Sequence, residues 1–312
     1  MKLPNIIEGL RILLTPLDAL NWLRVEKQAG IKENEWAFLL NVHIGEAYYI
    51  CGLIEAFRKE HNNDPVVIVI PKRYLAITKL FPRISRVVVA GKLPIPFTYG
   101  FVSLRKPRKG ILLLPLGPML YNYKGVNFLD SFKIGLHLKP TAKFSKPLQQ
   151  SHKSILKAKR MLLSSGLKPG STIIIFPNAL STISLPKESW VRLVKGIKSR
   201  GFSVATSVTG NESEIPDTVP LHFSLDEAHS IVQAAGWFVA IRSGICDFLS
   251  SANCKKTILY PKYSDYYHIG EFNENINKFR MIKNLSLPNT KNIQEYEVNP
   301  VLSPKEISKI LS

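Results

Sequence analysis

Short apolar runs alternate with segments of helical periodicity along the whole chain. The runs predicted as strands are 36–42, 66–70, 86–90 and 111–115 in the first half and 171–177, 202–208, 237–241 and 256–261 in the second. Apolar residues recur at helical spacing in 45–61, and a second predicted helix, 187–201, stops at Gly201, a typical helix-ending residue. Continuous Val and Ile runs separated by helices are typical of parallel sheets covered on both faces.

The pattern divides into two halves of similar content. Segment 139–152 carries two prolines and few apolar residues, which predicts a linker. A length of 312 residues also suggests two domains of roughly 150 residues each. We therefore expect an α/β protein of two Rossmann-like, doubly wound domains, 1–146 and 147–312, that face a cleft.

Composition narrows the class of protein. Hydrophobic residues make up 45% of the chain, an ordinary value for a soluble globular protein, and no apolar run approaches the ~18–20 residues that span a bilayer. Segment 1–27 is interrupted by charged residues and lacks a small-residue cleavage site, so it does not resemble a signal peptide. The three cysteines are too few and too scattered for a disulfide framework or a zinc site. These features predict a cytoplasmic protein.

Positive charge is concentrated in one part of the chain. Lys and Arg number 42 against 23 Asp and Glu, and segment 65–146 holds 15 of these cations with a single acid, Asp130. Such a surface attracts phosphates, anionic lipid headgroups or nucleic acid. The alternative is a charge excess that only keeps the protein soluble, although solubility does not require one sign in one segment.

Polar residues follow three of the predicted strands, and in doubly wound domains ligands bind beyond the carboxyl ends of strands. After the first strand, Gly45 permits a tight turn and Glu46 opens the helix. The Glu46 carboxylate is a candidate general base for an attacking hydroxyl, and His43 is placed to share that role. Alternatively, Glu46 is a helix N-terminal acid that adds a few tenths of a kcal/mol, and His43 is a loop residue.

A second group of hydroxyl and amide side chains follows the strand 171–177. Asn178, Ser181, Thr182 and Ser184 precede a helix that starts near Pro186. Such groups before a helix N-terminus suit phosphate oxygens. Ser184 would equally serve as the cap of that helix.

The third group, Arg242, Ser243, Gly244 and Asp247, follows the strand 237–241. Gly244 would let the amides of residues 243–246 approach an anion, and Arg242 offers a planar charged fork that matches a diphosphate. Asp247 would accept a hydrogen bond from a ribose or sugar hydroxyl. The alternative is an Arg–Asp ion pair that caps the helix, for which burying the arginine is costly.

The order of these elements and the short motifs at the strand ends resemble those of the heptosyltransferase-like inverting glycosyltransferases of bacterial surface polysaccharide synthesis. Gly45-Glu46 stands where that family has Gly-Asp, and Arg242-Ser243-Gly244 stands where it has Asp-Ser-Gly. Leu185-Pro186 is similar to the family's Trp-Pro, and Ile183 occupies the place of its lysine. Arginine for aspartate, with the lysine missing, suggests that the phosphate-neutralising charge has moved between loops.

Two further positions belong to the same comparison. Trp190 looks like the family's helix aromatic, and Asp247 stands where the family has a histidine on the next helical turn. The arginine at position 242 is also similar to that of fucosyltransferase-type enzymes, in which an arginine neutralises the leaving nucleotide.

The resemblance implies a GT-B fold and an inverting, metal-independent glycosyltransferase. The nucleotide-sugar donor would bind the second domain through Asn178, Ser181, Thr182 and residues 242–247, and Glu46 or His43 would supply the base from the acceptor-side first domain. No cofactor is expected beyond the donor substrate, and no Asp-x-Asp sequence that would suggest a bound metal occurs. A lipid-linked or surface polysaccharide acceptor, such as lipopolysaccharide or capsule, would place the protein peripherally on the anionic inner membrane, through the basic segment 65–146.

Two other classes of protein remain open. A pI near 9.8 suggests a nucleic-acid-binding protein. Against it, the basic residues do not interleave with aromatic ones, and no helix-turn-helix or zinc pattern occurs in the sequence. A non-catalytic sugar-nucleotide-binding relative is the other alternative.

Overall fold

The structure is a computed structural model that describes residues 27–40, 43–89, 125–179, 184–210, 212–262, 274–288 and 290–312, with 102–106, 109–113 and 274–276 described by backbone alone. The chain divides into two compact units: Met1–Leu120 with Leu129–Ser145, and Tyr121–Phe128 with Lys146–Ser312. The predicted domain bounds, 1–146 and 147–312, stay a prediction. The acceptor-side and donor-side roles of the two domains stay predictions.

A five-stranded sheet in the order β3-β2-β1-β4-β5 forms the centre of the first unit. Its strands are β1 (Trp36–Leu39), β2 (Val66–Ile70), β3 (Arg86–Val89), β4 (Val102–Lys106) and β5 (Lys109–Leu113). β1, β2 and β3 are parallel, as predicted, but β4 runs antiparallel to both β1 and β5. The expectation of a fully parallel sheet is therefore wrong here, because two residues join β4 to β5 and a parallel pair needs a crossover of about a dozen.

The described residues of the first unit also form helices. They are α1 (Ile44–Glu60), α2 (Leu75–Thr78), preceded by a 3₁₀ turn (Lys72–Tyr74), and α3 (Phe128–Gly135). The Phe144 ring lies over Gly52 of α1, 2.0 Å from where a Cβ would stand, and contacts the ring of Tyr48 at 5.3 Å. α1 therefore requires glycine at position 52 for the chain after α3 to pack on it.

The second unit contains six parallel strands in the order β11-β10-β9-β6-β7-β8. They are β6 (Thr172–Phe176), β7 (Ser203–Ser207), β8 (Val219–Leu221), β9 (Gly236–Ile241), β10 (Lys255–Pro261) and β11 (Ile293–Val298). From β6 the chain proceeds through β7 to the edge strand β8, returns to β9 beside β6, and continues to β11. This is the doubly wound Rossmann order, and it confirms the fold class predicted for this half.

The strand β4 and the edge strands β8 and β11 were not predicted. β8 is three residues long and contains Pro220, so it lacks the length of a recognisable run. β11 carries Glu295 and Glu297 among its apolar residues and is mostly half-buried, as an edge strand permits.

The described residues of the second unit also form the helices α4 (His152–Ser164), α5 (Lys187–Lys198), α6 (Leu225–Ala235), α7 (Gly244–Leu249), α8 (Glu274–Arg280) and α9 (Pro304–Ile310), and a 3₁₀ turn (Ile282–Asn284). α5 and α9 share one apolar cluster with the sheet, in which Trp190 and Ile310 are buried. α5 ends just before Gly201, whose φ of +81° fits the predicted helix end. Its N-cap residue is Pro186, so the alternative that Ser184 caps this helix is wrong.

Within the described parts of the chain, none of the helices combines the length and the apolar character needed to cross a bilayer.

Candidate functional site

The centre of the second sheet holds its topological switch point, between β6 and β9. These neighbouring strands are parallel, and the chain leaves them toward opposite edges of the sheet. Ligands of doubly wound proteins bind in the crevice outside the carboxyl ends of such strands. Pro177-Asn178 follows β6, and Arg242-Ser243-Gly244 follows β9. The fold therefore brings two of the three predicted polar groups to one edge of one sheet.

The two groups differ in how much of them the structure describes. Asn178 is exposed directly beyond β6. Ser181 and Thr182, predicted to contact phosphate oxygens, lie outside the described residues, as does Ile183.

Arg242 is turned into the protein interior and paired with Asp247. Its side chain is 2% exposed, and its Nη2 and Nη1 atoms lie 2.6 and 2.9 Å from the Asp247 carboxylate oxygens Oδ1 and Oδ2. Nη1 also donates to the Ser243 carbonyl at 2.8 Å, and Nε donates to the Arg280 carbonyl at 3.2 Å. This geometry is the ion pair that the sequence left open as an alternative. Direct contact of Arg242 or Asp247 with a nucleotide-sugar donor stays a prediction, and it would require part of this ion pair to open.

The pair fixes the turn that leads from β9 into α7. Ser243 is the extended N-cap residue of α7, and the Cys246 amide donates to the Ser243 carbonyl at 3.0 Å. The Cys246 amide is thus used inside the turn, so the expected set of anion-binding amides, 243–246, reduces to those of 243–245. Gly244 and Ile245 are half-buried, whereas Ser243 is 8% exposed. The accessible surface of this turn comes mainly from Gly244 and Ile245, and Gly244 contributes backbone alone.

Beneath this turn lies a polar network that sequence reasoning missed. Glu295 of β11 accepts from the Tyr260 hydroxyl at 2.5 Å and from the backbone amides of Ile282 and Lys283 at 2.7 and 3.0 Å. Burial raises the pKa of the Tyr260 hydroxyl well above its usual range, so it remains a donor. The bonds to Glu295 hold the segment that offers the Arg280 carbonyl to Arg242. The feature of the sequence that could have indicated this network is the acidic residue Glu295 within the half-apolar segment of β11.

A buried histidine of α6 contacts α7. The His229 Nε2 atom lies 2.8 Å from the Phe248 carbonyl, and its ring meets the Phe248 ring edge-on at 4.6 Å. Burial lowers the pKa of His229 to about 4, so the ring is neutral at pH 7 and its Nε2 can donate to that carbonyl. The residue positions α7 and does not titrate in the physiological range.

The predicted base of the first unit stands at the N-terminus of α1. His43 is the N-cap residue, and its backbone amide donates to the Glu46 Oε2 atom at 3.0 Å. His43 is exposed and Glu46 half-buried. The geometry is that of a helix N-terminal acid, the simpler interpretation of Glu46. Its role as a base, and that of His43, stay predictions.

A buried cysteine lies in the turn that follows β9. Cys246, beside Ser243, is fully buried, and burial raises the pKa of its thiol to about 11, so it is not a nucleophile at neutral pH. Within the described ranges, His, Cys, Asp and Glu side chains form no cluster of three or more that would hold a metal ion.

Several solved structures that share this arrangement of strands and helices are glycosyltransferases. A family 9 glycosyl transferase from Veillonella parvula superposes with a TM-score of 0.55 at 12% identity, over 84% of this chain and 85% of that chain. The E. coli ADP-heptose lipopolysaccharide heptosyltransferase II gives 0.57 at 10% identity, over 88% of this chain and 96% of that chain. The E. coli heptosyltransferase WaaC with ADP-2-deoxy-2-fluoro heptose gives 0.50 at 11% identity, over 88% and 98%.

No protein-family model and no curated protein sequence matches this chain. The likeness therefore lies in the fold. It confirms two Rossmann-like domains of the kind found in heptosyltransferases, as the resemblance drawn from the sequence implied.

Proposed function

We propose that the protein is an inverting, metal-independent glycosyltransferase that uses a nucleotide-sugar donor. One observation supports the proposal: Asn178 and the Ser243-Gly244 turn follow the neighbouring parallel strands β6 and β9, in a fold shared along most of its length with heptosyltransferase II. Switch points of doubly wound sheets are the usual nucleotide sites of this architecture.

The donor class follows from the chemistry of this edge. A nucleoside diphosphate needs donors for its oxygens, and the amides of residues 243–245, the Ser243 hydroxyl and the Asn178 amide are of that type. The WaaC neighbour holds an ADP-sugar analogue, which supports a nucleoside diphosphate sugar as the donor. As the bond to the sugar breaks, these groups would stabilise the negative charge of the leaving diphosphate.

In this proposal Arg242 acts mainly by holding the backbone of the turn in place. Its bonds to the Ser243 carbonyl and Asp247 hold the backbone in place, and its charge is largely balanced by the Asp247 carboxylate. Arg242 is therefore a positioning residue whose loss would weaken donor binding by loosening residues 243–245.

The transfer step itself needs a base for the acceptor hydroxyl. We assign this to Glu46, with His43 in reserve: the carboxylate takes the hydroxyl proton as the acceptor oxygen attacks the anomeric carbon. The bond from that carbon to the diphosphate oxygen breaks on the opposite face, its electron pair leaves with the nucleoside diphosphate, and the configuration inverts. The anomeric bond is exchanged without a redox cofactor.

The acceptor and location belong to the same proposal. A lipid-linked or surface polysaccharide acceptor, as in lipopolysaccharide or capsule synthesis, fits the fold neighbours and the basic composition. The protein would then work on the cytoplasmic side of the inner membrane, with segment 65–146 near its anionic lipids.

A thermal-shift screen with ADP-, UDP-, GDP-, CMP- and TDP-sugars, each with and without EDTA, tests the donor site. A ligand at 100 times its dissociation constant adds ~2.7 kcal/mol of stability, which is readily measured. We expect one nucleoside diphosphate sugar to stabilise the protein equally in EDTA. If none of them does, the donor proposal is wrong.

Glu46→Gln tests the base separately, since it keeps the shape of the side chain and removes its basicity. Donor binding should persist while release of nucleoside diphosphate in the presence of acceptor falls by ~10²–10⁴-fold. Glu60→Gln, at the far end of the same helix, is the matched control and should keep its turnover. Normal turnover in Glu46→Gln, with loss in His43→Ala, would reverse the two roles. Donor binding without any turnover in the native chain would identify a non-catalytic relative.

A further inference from the structure

The outer face of α4 combines cations and exposed leucines in one row. Viewed along the helix axis at 100° per residue, five side chains lie within about 60° of one line: Lys153, Leu156, Lys159, Arg160 and Leu163. We call these five residues the α4 outer face. The opposite side of α4, with Ala158 and Leu162 buried, packs against α6.

The two leucines of this face are exposed to an unusual degree for their type. Leu156 is 39% exposed and Leu163 is 62% exposed, and they stand two helical turns apart at the middle of the face. Packing in the second unit does not require them there, since Ala158 and Leu162 already fill the contact with α6. A single exposed leucine is ordinary, but two in line with cations on both sides form a pattern.

The charge of this helix has one sign. α4 contains Lys153, Lys157, Lys159 and Arg160 and no Asp or Glu. Lys157, at the margin of the face, pairs with Glu227 of α6 at 2.9 Å. In the described parts of the chain this is the one ion pair that involves α4. No acidic side chain there therefore neutralises the positive charges of the three outer-face cations.

We propose that the α4 outer face binds an anionic lipid bilayer. Cations flanking protruding leucines match a surface that is negative at its phosphates and apolar just beneath them: the leucines enter the acyl boundary while the lysine and arginine heads remain at the headgroups. A nucleic acid or an acidic protein surface would satisfy the charges but would leave Leu156 and Leu163 in water. The inference concerns the second unit, is separate from segment 65–146, and does not rest on the proposed transfer activity.

Two variants of the full chain separate the charges from the leucines. Removing three cations with Lys153→Gln, Lys159→Gln and Arg160→Gln should weaken binding to vesicles of phosphatidylglycerol and phosphatidylcholine about 100-fold at low salt, at a factor of about five per cation. Leu156→Ser with Leu163→Ser should weaken it at least about tenfold, since each leucine loses its apolar transfer. All five positions are exposed, so the fold should tolerate the changes, and circular dichroism checks this.

Matched controls come from α5 and the loop before α9. Lys187→Gln, Lys195→Gln and Lys198→Gln remove three exposed helical cations elsewhere, and Val301→Ser removes an apolar side chain that is 59% exposed. Both controls should bind the vesicles as the native chain does.

The measurement is co-sedimentation with the mixed vesicles and with pure phosphatidylcholine vesicles, and filter binding to duplex DNA as a competing polyanion. Loss of vesicle binding in both α4 variants, with both controls unchanged, supports the proposal. Equal loss in the α5 control would show that net charge alone matters and would overturn it. A leucine variant that keeps full vesicle binding, while the cation variant loses binding to DNA, would identify a polyanion site instead.

Discussion

Replacing Asp247 by alanine should destabilise the second unit by about 3–5 kcal/mol. The substitution removes the carboxylate that balances Arg242 and leaves the guanidinium without its partner in a buried position. Breaking a buried pair by deleting one partner costs this much because the remaining charge is uncompensated. The loss is a large fraction of the ~5–15 kcal/mol of a typical domain.

The structure itself decides that the large value applies. The side chains of Arg242 and Asp247 are 2% and 3% exposed, and two N–O distances of 2.6 and 2.9 Å make the pair bidentate. The Lys157–Glu227 pair has a similar distance, 2.9 Å, but its side chains are 77% and 36% exposed. Solvent screens such a pair, and Lys157→Ala should change the free energy of unfolding by less than about 1 kcal/mol.

Guanidinium denaturation followed by tryptophan fluorescence provides the measurement, since Trp190 and Trp237 are both buried in the second unit. The double variant Arg242→Met with Asp247→Leu should recover most of the stability lost in Asp247→Ala, because it leaves neither charge buried. The same double variant should still bind the donor poorly, since the turn has lost its brace. A loss below about 1 kcal/mol in Asp247→Ala would refute the argument that this pair is buried and mutually dependent.

Two further predictions concern the cores of the two units. The His229 pKa of about 4 lies below its ordinary value of 6.5. As the pH falls, the unfolded chain therefore protonates this ring before the folded chain does. The contribution is therefore fully present above pH 6.5 and falls by about 3 kcal/mol as the pH drops to 4; a native chain and a His229→Gln variant with the same pH slope of stability in urea titrations would contradict this. Gly52→Ala should cost about 1–3 kcal/mol or more, because the new methyl group would overlap the Phe144 ring, and an unchanged thermal midpoint would show that the ring moves aside freely.

The patterned segments of the chain were predictable from the sequence. β2 has the predicted bounds, and the bounds of the strands β6, β7, β9 and β10 lie within one residue of the predicted ones. Short continuous runs rich in Val and Ile are typical of parallel strands buried on both faces. The sequence also placed polar residues after β6 and β9, and the structure shows that these two strands are neighbours, whereas donor binding at their ends stays a prediction. Glu46 and Asn178 likewise stand at the strand ends where the sequence placed them.

Only the tertiary structure decided what the polar side chains at those ends contact. Arg242 was open to two interpretations, and its direction depends on the carbonyl of Arg280, 38 residues away, and on the Asp247 carboxylate. The antiparallel strand β4 depends on pairing with both β1 and β5, which its own mixed sequence does not specify. Local periodicity records which side chains are apolar, whereas the partner of a buried charge is set by segments that only the folded chain brings together.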